Sequence, residues 1–302
     1  MSTWVVGSGG LLGSALARQL EDIFAAAPVP WNEPERAAEH LSQEAQRFAD
    51  HLHGSPWSVI WAAGAATTSS SSAQTQAELE SLRGLLAGIR EHLPAGEGHF
   101  FLTSSAGGVY AGSKNPPLDR DTPVQPLSPY GELKLSQETL ASNMLADFAA
   151  VTIGRVSNLY GPGQDLGKLQ GLISRLALAS VTRQPINIFV PLDTIRDYIY
   201  VDDAAQAILD LMAQSPRPDS TQVDVIASGV PTTVAQLIQT MTLLTKKRVP
   251  VALGSHPSSQ AQALDLRMEP SVQITARTPL PVGMKAVHLD ILARLQQHSV
   301  TA

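Results

Sequence analysis

The sequence predicts an α/β fold, a doubly wound parallel sheet with a smaller α+β unit attached. Three observations carry that expectation. Strand-like and helix-like stretches alternate from the first residues onward, the pattern of a parallel sheet whose connections are helices. A glycine cluster from Gly7 to Gly13 stands between the first strand-like stretch and the first helical one, where open α/β sheets place their ligand-binding turns. And 302 residues, 43% hydrophobic and 16% charged, are enough for one large α/β unit with an appendage and exclude disorder as the main state.

The elements follow in order. Thr3 to Val6 reads as a strand and about Leu11 to Leu20 as a helix. Pro28 to Trp31 is at best a short, poor strand, because proline donates no ladder hydrogen bond. Asn32, with Glu35 three residues on and Pro34 between them, looks like a capping box. Ala38, Leu41, Ala45, Phe48 and Leu52 then recur at helical steps, predicting an amphipathic helix to about His53. Ser58 to Ala62 and His99 to Leu102 read as buried strands flanking a helix from about Ala73 to Leu93. The low-complexity run Thr67 to Ser72 between them is expected to be a mobile loop at the cofactor edge. Asn115 to Pro129 is a proline-rich loop into a helix starting near Tyr130, and Ala150 to Ile153 is a strand. Helices are expected at about Leu169 to Val181, Val201 to Ala213, Thr233 to Leu244 and Lys285 to Gln297.

Charge and composition remove several function classes. Lys and Arg number 21 against 27 Asp and Glu, a net charge of −6 with no basic block, so nucleic acid is not an expected partner. No cysteine is present, which excludes disulfides, thiol nucleophiles and thiolate metal sites. His51 and His53 point to different sides of a helix, and no metal site is expected. Trp4-Val5-Val6 is too short for a secretory segment and no apolar run approaches a membrane span. A soluble, cytoplasmic protein with no membrane association is expected.

Two constellations can carry chemistry. Gly7-Ser8-Gly9-Gly10-Leu11-Leu12-Gly13 can bring backbone N–H groups and a helix N-terminus to a pyrophosphate, or it can be a plain tight turn. It lacks the Lys followed by Ser or Thr of a Walker loop. Tyr130 and Lys134 are four apart on one helix face. An ammonium beside a phenol favours the phenolate and makes such a tyrosine usable as acid or base, although a lone pair at this spacing is commonly just an exposed face. Thr103, Ser104 and Ser105 put hydroxyls at the C-terminal end of a buried strand, where they can meet a ligand or cap the turn.

Together these residues resemble the short-chain dehydrogenase/reductase superfamily, and more specifically its extended branch that acts on nucleotide sugars. The resemblance rests on Gly7-x-x-Gly10-x-x-Gly13, Ala62-Ala63-Gly64, Ser104-Ser105, and Ser128-Pro129-Tyr130-Gly131 with Lys134. Its most specific parts are Asn158-Leu159-Tyr160-Gly161-Pro162-Gly163 and Arg196-Asp197-Tyr198-Ile199-Tyr200-Val201-Asp202-Asp203. It implies a Rossmann domain over 1–158 plus part of 195–230, with a substrate-binding cap from 159–194 and 231–302. It also implies a catalytic Ser105, Tyr130 and Lys134, and a homodimer through the helices after Thr68 and Tyr130. Ser104, Ser105, Asn158 and Arg196 are implied to meet a nucleoside-diphosphate sugar, the last two at its diphosphate, where a guanidinium forks onto phosphate oxygens. Asp197 can instead pair with Arg196, and Asp202 and Asp203 belong to a helix start.

Three departures from the family pattern matter. The acidic residue that marks NAD selectivity, about 18 residues past the last glycine, is replaced by Trp31-Asn32, and Arg36 is within reach of a 2′-phosphate; the expectation tips to NADP over NAD, with Asn32 and Arg36 as cofactor contacts. The third strand and the short acidic motif beside the adenine are missing, so an open adenine site is expected. Ala106-Gly107 stand where family dehydratases carry Asp-Glu, which argues against dehydration, as the lack of cysteine argues against 3,5-epimerisation. What remains is epimerisation or ketone reduction at a sugar carbon, C4 for preference, with Tyr130 exchanging the hydroxyl proton, Lys134 holding the nicotinamide ribose and Ser105 orienting the reacting oxygen. The departures around residues 28 to 56 motivate the alternative of a non-catalytic NAD(P)-binding regulator that keeps the fold.

Overall fold

The computed structural model describes residues 2–67, 70, 72–167, 171–214, 221–254, 263–274 and 276–300. In chain order its elements are β1 (Ser2–Val6), α1 (Leu11–Gln19), α2 (Pro34–Leu52), β2 (Trp57–Trp61), α3 (Ser72–His92), β3 (Gly98–Ser105), α4 (Ala106–Val109), α5 (Pro129–Leu145), β4 (Ala150–Val156) and β5 (Asn158–Tyr160). There follow α6 (Leu172–Thr182), β6 (Ile186–Ile188), β7 (Ile195–Tyr200), α7 (Val201–Ala213), β8 (Thr221–Ile226), β9 (Pro231–Thr233), α8 (Val234–Thr245), β10 (Val251–Leu253), β11 (Asp265–Leu266) and α9 (Leu280–Val300).

The central sheet runs β1-β2-β3-β4-β8, all parallel. Because side chains alternate across a strand, each strand feeds two cores. Trp4, Val59, Trp61, Phe100 and Leu102 pack with α2, α3 and α5 on one face. Val5, Ile60, Phe101 and Ile226 pack with α1 and α7 on the other. Both faces are thus covered, which is why these strands read as continuous apolar runs. A smaller sheet of β11, β7 and β5 with antiparallel β9, and the pair β6 and β10, lie beside a third apolar cluster built from α6, α8 and α9.

The expected elements form, with local corrections. No strand forms over Pro28 to Trp31; the second strand shrinks to a single bridge between Thr3 and Ile23, after which the chain leaves the sheet edge. Pro28 and Pro30, which donate no ladder hydrogen bond, explain the loss. The Asn32 capping box does not form either: Glu33 is the N-cap of α2 and no side chain caps it. Between Leu52 and Trp57 there is no room for a further strand, as the sequence implies. The expected helix at about Leu169 begins, within the described residues, at Leu172, and Thr68, Ser69 and Ser71 of the low-complexity run lie outside them. Asp202 and Asp203 lie in the first turn of α7. Asp202 pairs with Arg18 at 2.7 Å, and Asp203 accepts from the Thr278 amide and hydroxyl, so both are structural. Among the described residues no helix is long and apolar enough to cross a membrane, and no cluster of three or more His, Asp or Glu could hold a metal ion.

Candidate active site

The C-terminal ends of the central strands open on a cleft of about 920 Å³. At one side of it the glycine turn is closed by the Gly10 amide donating to the Gly7 carbonyl at 2.9 Å. Gly7 has φ +89°, and a Cβ there would sit 2.7 Å from the backbone of Ala63, so only glycine lets the turn lie against the Ala62-Ala63-Gly64 loop. Gly13 is needed for the same reason, since a Cβ there would strike the Gly7 carbonyl. Gly9, Gly10, Leu11 and Leu12 line the cleft, Ser8 is exposed at the turn, and α1 starts without a side-chain cap. A cradle that a Cβ would fill, with uncapped first-turn N–H groups beside it, fits a dinucleotide pyrophosphate.

Deeper in the cleft, β3 ends at Ser105, which caps α4 by accepting the Gly108 amide at 3.2 Å and keeps its own hydroxyl proton to donate. Helix α5 is started by Ser128, which accepts from the Gly131 amide at 3.2 Å, with Pro129 in its first turn. That start sets Tyr130 over α4: a Cβ on Gly108 would be 3.0 Å from Tyr130 Cε1 and 3.4 Å from Ser105 Oγ. One turn on, Lys134 Nζ lies 5.7 Å from the Tyr130 ring centre. Lys134 is buried and donates to Gln137 Oε1 at 2.9 Å and to Glu78 Oε1 at 3.2 Å. Glu78, on α3, also receives the Gln137 amide at 3.0 Å and, on its other oxygen, the Ala65 and Ala66 amides at 3.0 Å. Burial alone would push this carboxyl up, but Lys134, the Ala66 amide and Gln137 hold it below the usual range; burial would lower the Lys134 ammonium, and Glu78 keeps it raised.

Asn158 and Arg196 line the same cleft. Arg196 and Asp197 are neighbours on β7 and so point to opposite faces, and they do not pair. Asp197 is buried and takes Ser157 Oγ at 2.6 Å and the Ser228 amide and hydroxyl at 2.9 Å. Arg196 donates to its neighbour's carbonyl, Ile195 O, at 2.8 Å and makes no ion pair among the described residues; burial pushes its guanidinium down from the ordinary value. Asn158 spends one amide hydrogen on the Asp197 carbonyl at 2.7 Å. Tyr198, also lining the cleft, is pushed up to about 12 by burial.

Three sequence expectations change. Ser104 borders the cleft, but its hydroxyl is turned to the opposite side of β3 and donates to Glu138 at 2.5 Å, in a buried pair of Glu138 with Arg155. Asn32 and Arg36 are exposed and do not line the cleft, and Arg36 is paired with Glu33 at 2.7 Å, so the structure gives the expected NADP preference no support. Sequence reasoning also missed Glu78 and Gln137. A mid-helix glutamate carries no local mark of a partner 56 residues away; only its place on the inward stripe of α3 signals it. Thr103, two residues before Ser105 and on the same strand face, lines the cleft with a buried hydroxyl that has no partner among the described residues.

Known proteins share the family sequence pattern and the fold of this chain. The dTDP-4-dehydro-6-deoxyglucose reductase of Escherichia coli is 28% identical over 167 residues, 54% of this chain and 52% of that protein, so the match spans about half the length of the curated relative. The UDP-glucose 4-epimerase of Thermotoga maritima, solved with UDP-glucose, superposes with a TM-score of 0.80 at 20% identity over 98% of this chain and 100% of that one. The UDP-glucuronic acid 4-epimerase of Bacillus cereus, solved with UDP-glucuronic acid and NAD, superposes with a TM-score of 0.78 at 19% identity over 97% and 100%. These structural likenesses establish the fold. The model of the NAD dependent epimerase/dehydratase family matches residues 3–225, nearly three quarters of the sequence, and the chain belongs to that family.

Proposed function

We propose that the protein is an NAD-dependent nucleotide-sugar epimerase or ketoreductase acting at C4 of a nucleoside-diphosphate hexose. The observation that carries this reading is that one cleft is lined by Ser105, Tyr130 and Lys134 and also by Arg196, whose guanidinium makes no ion pair among the described residues. When bound, the cofactor supplies a nicotinamide that takes or returns hydride at the sugar carbon. Tyr130 exchanges the proton of the C4 oxygen, and Ser105, with one lone pair occupied by the Gly108 amide, donates a hydrogen bond to that oxygen. Lys134 holds the nicotinamide ribose and opposes negative charge on the Tyr130 oxygen. Arg196 and the remaining amide hydrogen of Asn158 hold the diphosphate. The cap segments 159–194 and 231–302 close over the sugar in this reading, and a homodimer through α3 and α5 accompanies it.

NAD is the form this reading takes, as in the Bacillus cereus structure. Glu33 neutralises Arg36 and would repel a 2′-phosphate that approached it. Dehydration is disfavoured because Ala106 and Gly107 offer no acid or base beside Ser105. A regulator that merely binds cofactor has no need of the Ser105, Tyr130 and Lys134 arrangement. To test the proposal, freshly purified protein is denatured and any released nucleotide identified by mass spectrometry, and emptied protein is titrated with NAD and NADH. Retained NAD at about one per chain selects the epimerase, since that cycle never releases its cofactor; an empty protein that binds NADH reversibly selects the ketoreductase. Failure to hold either form contradicts the proposal.

A further inference from the structure

We infer that Glu78 is the counter-charge of Lys134 at the nicotinamide end of the cleft, and that it sets the relative affinity for oxidised and reduced cofactor. The inference rests on the NAD-binding reading above. Glu78 differs from an ordinary structural carboxylate in what it touches. Its Oε1 faces Lys134 Nζ at 3.2 Å and Gln137 Nε2 at 3.0 Å, and its Oε2 receives the Ala65 and Ala66 amides, just past the loop that lies against the glycine turn. The side chains of Lys134 and Glu78 are 7% and 8% exposed, so water screens the pair little. Gln137 takes a second ammonium hydrogen at 2.9 Å, which leaves Lys134 one hydrogen for a ligand in the cleft.

The other nearby carboxylate, Glu138, is committed to Arg155 at 2.7 and 3.1 Å and to Ser104, so its charge is already balanced. Lys134 and Glu78 therefore sum to zero, and without Glu78 the nicotinamide end carries one net positive charge. The oxidised nicotinamide ring is itself positive and the reduced ring is neutral. A lone lysine in a dry site disfavours the oxidised ring selectively, and a carboxylate beside the lysine removes that bias. A mere brace for the Ala65-Ala66 loop would need only an accepting oxygen, which a glutamine also provides. The charge is the part that a brace does not explain.

The test compares wild type with Glu78→Gln, Lys134→Met and the double variant, measuring dissociation constants for NAD by calorimetry and for NADH by its fluorescence, with ADP-ribose as a probe lacking the nicotinamide. Glu78→Gln is expected to raise the ratio of the NAD to the NADH dissociation constant about tenfold, the order of one unit charge acting across roughly 10 Å at protein dielectric, with ADP-ribose unchanged. Lys134→Met is expected to shift the ratio the other way, and the double variant to return it near wild type. Equal weakening of NAD, NADH and ADP-ribose by Glu78→Gln would make Glu78 a loop brace only and overturn the inference. Should Glu78→Gln fail to fold, an unshifted ratio in Lys134→Met overturns it. A wild type that binds none of the three probes refutes the cofactor reading itself, and the inference with it, before any variant is compared.

Discussion

Replacing Arg196 with methionine should separate stability from binding, because the structure gives this side chain a cost in the fold and a use only in the cleft. Its guanidinium is half-buried, its one side-chain hydrogen bond among the described residues is to the Ile195 carbonyl at 2.8 Å, and burial pushes its pKa down. A half-buried charge without an ion pair contributes little to folding and can oppose it, while methionine keeps most of the apolar stem. Thermal stability of Arg196→Met is therefore expected to be unchanged or raised. Binding should move the other way. A guanidinium on a diphosphate makes at least two charge-assisted hydrogen bonds worth roughly 1.5 kcal/mol or more each, about 3 kcal/mol together. That corresponds to roughly a hundredfold loss of affinity. Calorimetric titration with UDP and dTDP, beside a thermal melt, reads both quantities. A melt lowered by many degrees with nucleotide affinity intact would refute the reasoning and make Arg196 a structural residue.

Two further predictions come from packing and titration. Gly108→Ala puts a methyl 3.0 Å from Tyr130 Cε1 and should cut kcat about tenfold or more by displacing the ring, leaving NADH affinity unchanged; Gly107→Ala, which meets no protein atom within 4 Å, should leave the ring in place and lose far less, and steady-state kinetics of the pair checks the contrast. His99 is buried against Thr152 at 2.8 Å, and burial lowers its pKa to about 4. The unfolded chain therefore binds its proton first as pH falls. The stability due to neutral His99 is fully present above about pH 6.5 and is lost between about 6.5 and about 4, a change of roughly 3 kcal/mol. Urea unfolding of wild type and His99→Gln across that range should show the slope in the first and its reduction in the second; equal slopes would count against the assignment.

Much of the site was legible because its signals are local. The glycine turn, the Ser128-Pro129 start of α5 and the spacing of Tyr130 and Lys134 are properties of a few adjacent residues, and the structure builds them as read. The helix Val201–Ala213 likewise follows from its own periodicity. Strand neighbours were harder to assign, since alternation sends Ser104 and Ser105 to opposite faces but does not say which face is the cleft; Glu138 and Arg155 decide that from 34 and 51 residues away in sequence. The same alternation did exclude an Arg196 to Asp197 pair, and could have been used at once. The loss of the second strand depended on the sheet edge at Thr3, and the partnership of Glu78 with Lys134 on the packing of α3 against α5, neither of which has a local signature.

The measurement that bears most directly on the account is turnover of a panel of UDP- and dTDP-hexoses and their 4-keto derivatives by wild type and Tyr130→Phe, followed by NADH absorbance and by the stereochemistry of the recovered sugar. The account predicts that at least one nucleotide sugar is epimerised or reduced at C4. It also predicts that the phenylalanine variant, with its fold and NADH affinity intact, loses roughly a hundredfold or more in kcat. Undiminished turnover of that substrate by Tyr130→Phe, or chemistry confined to another carbon, would contradict it.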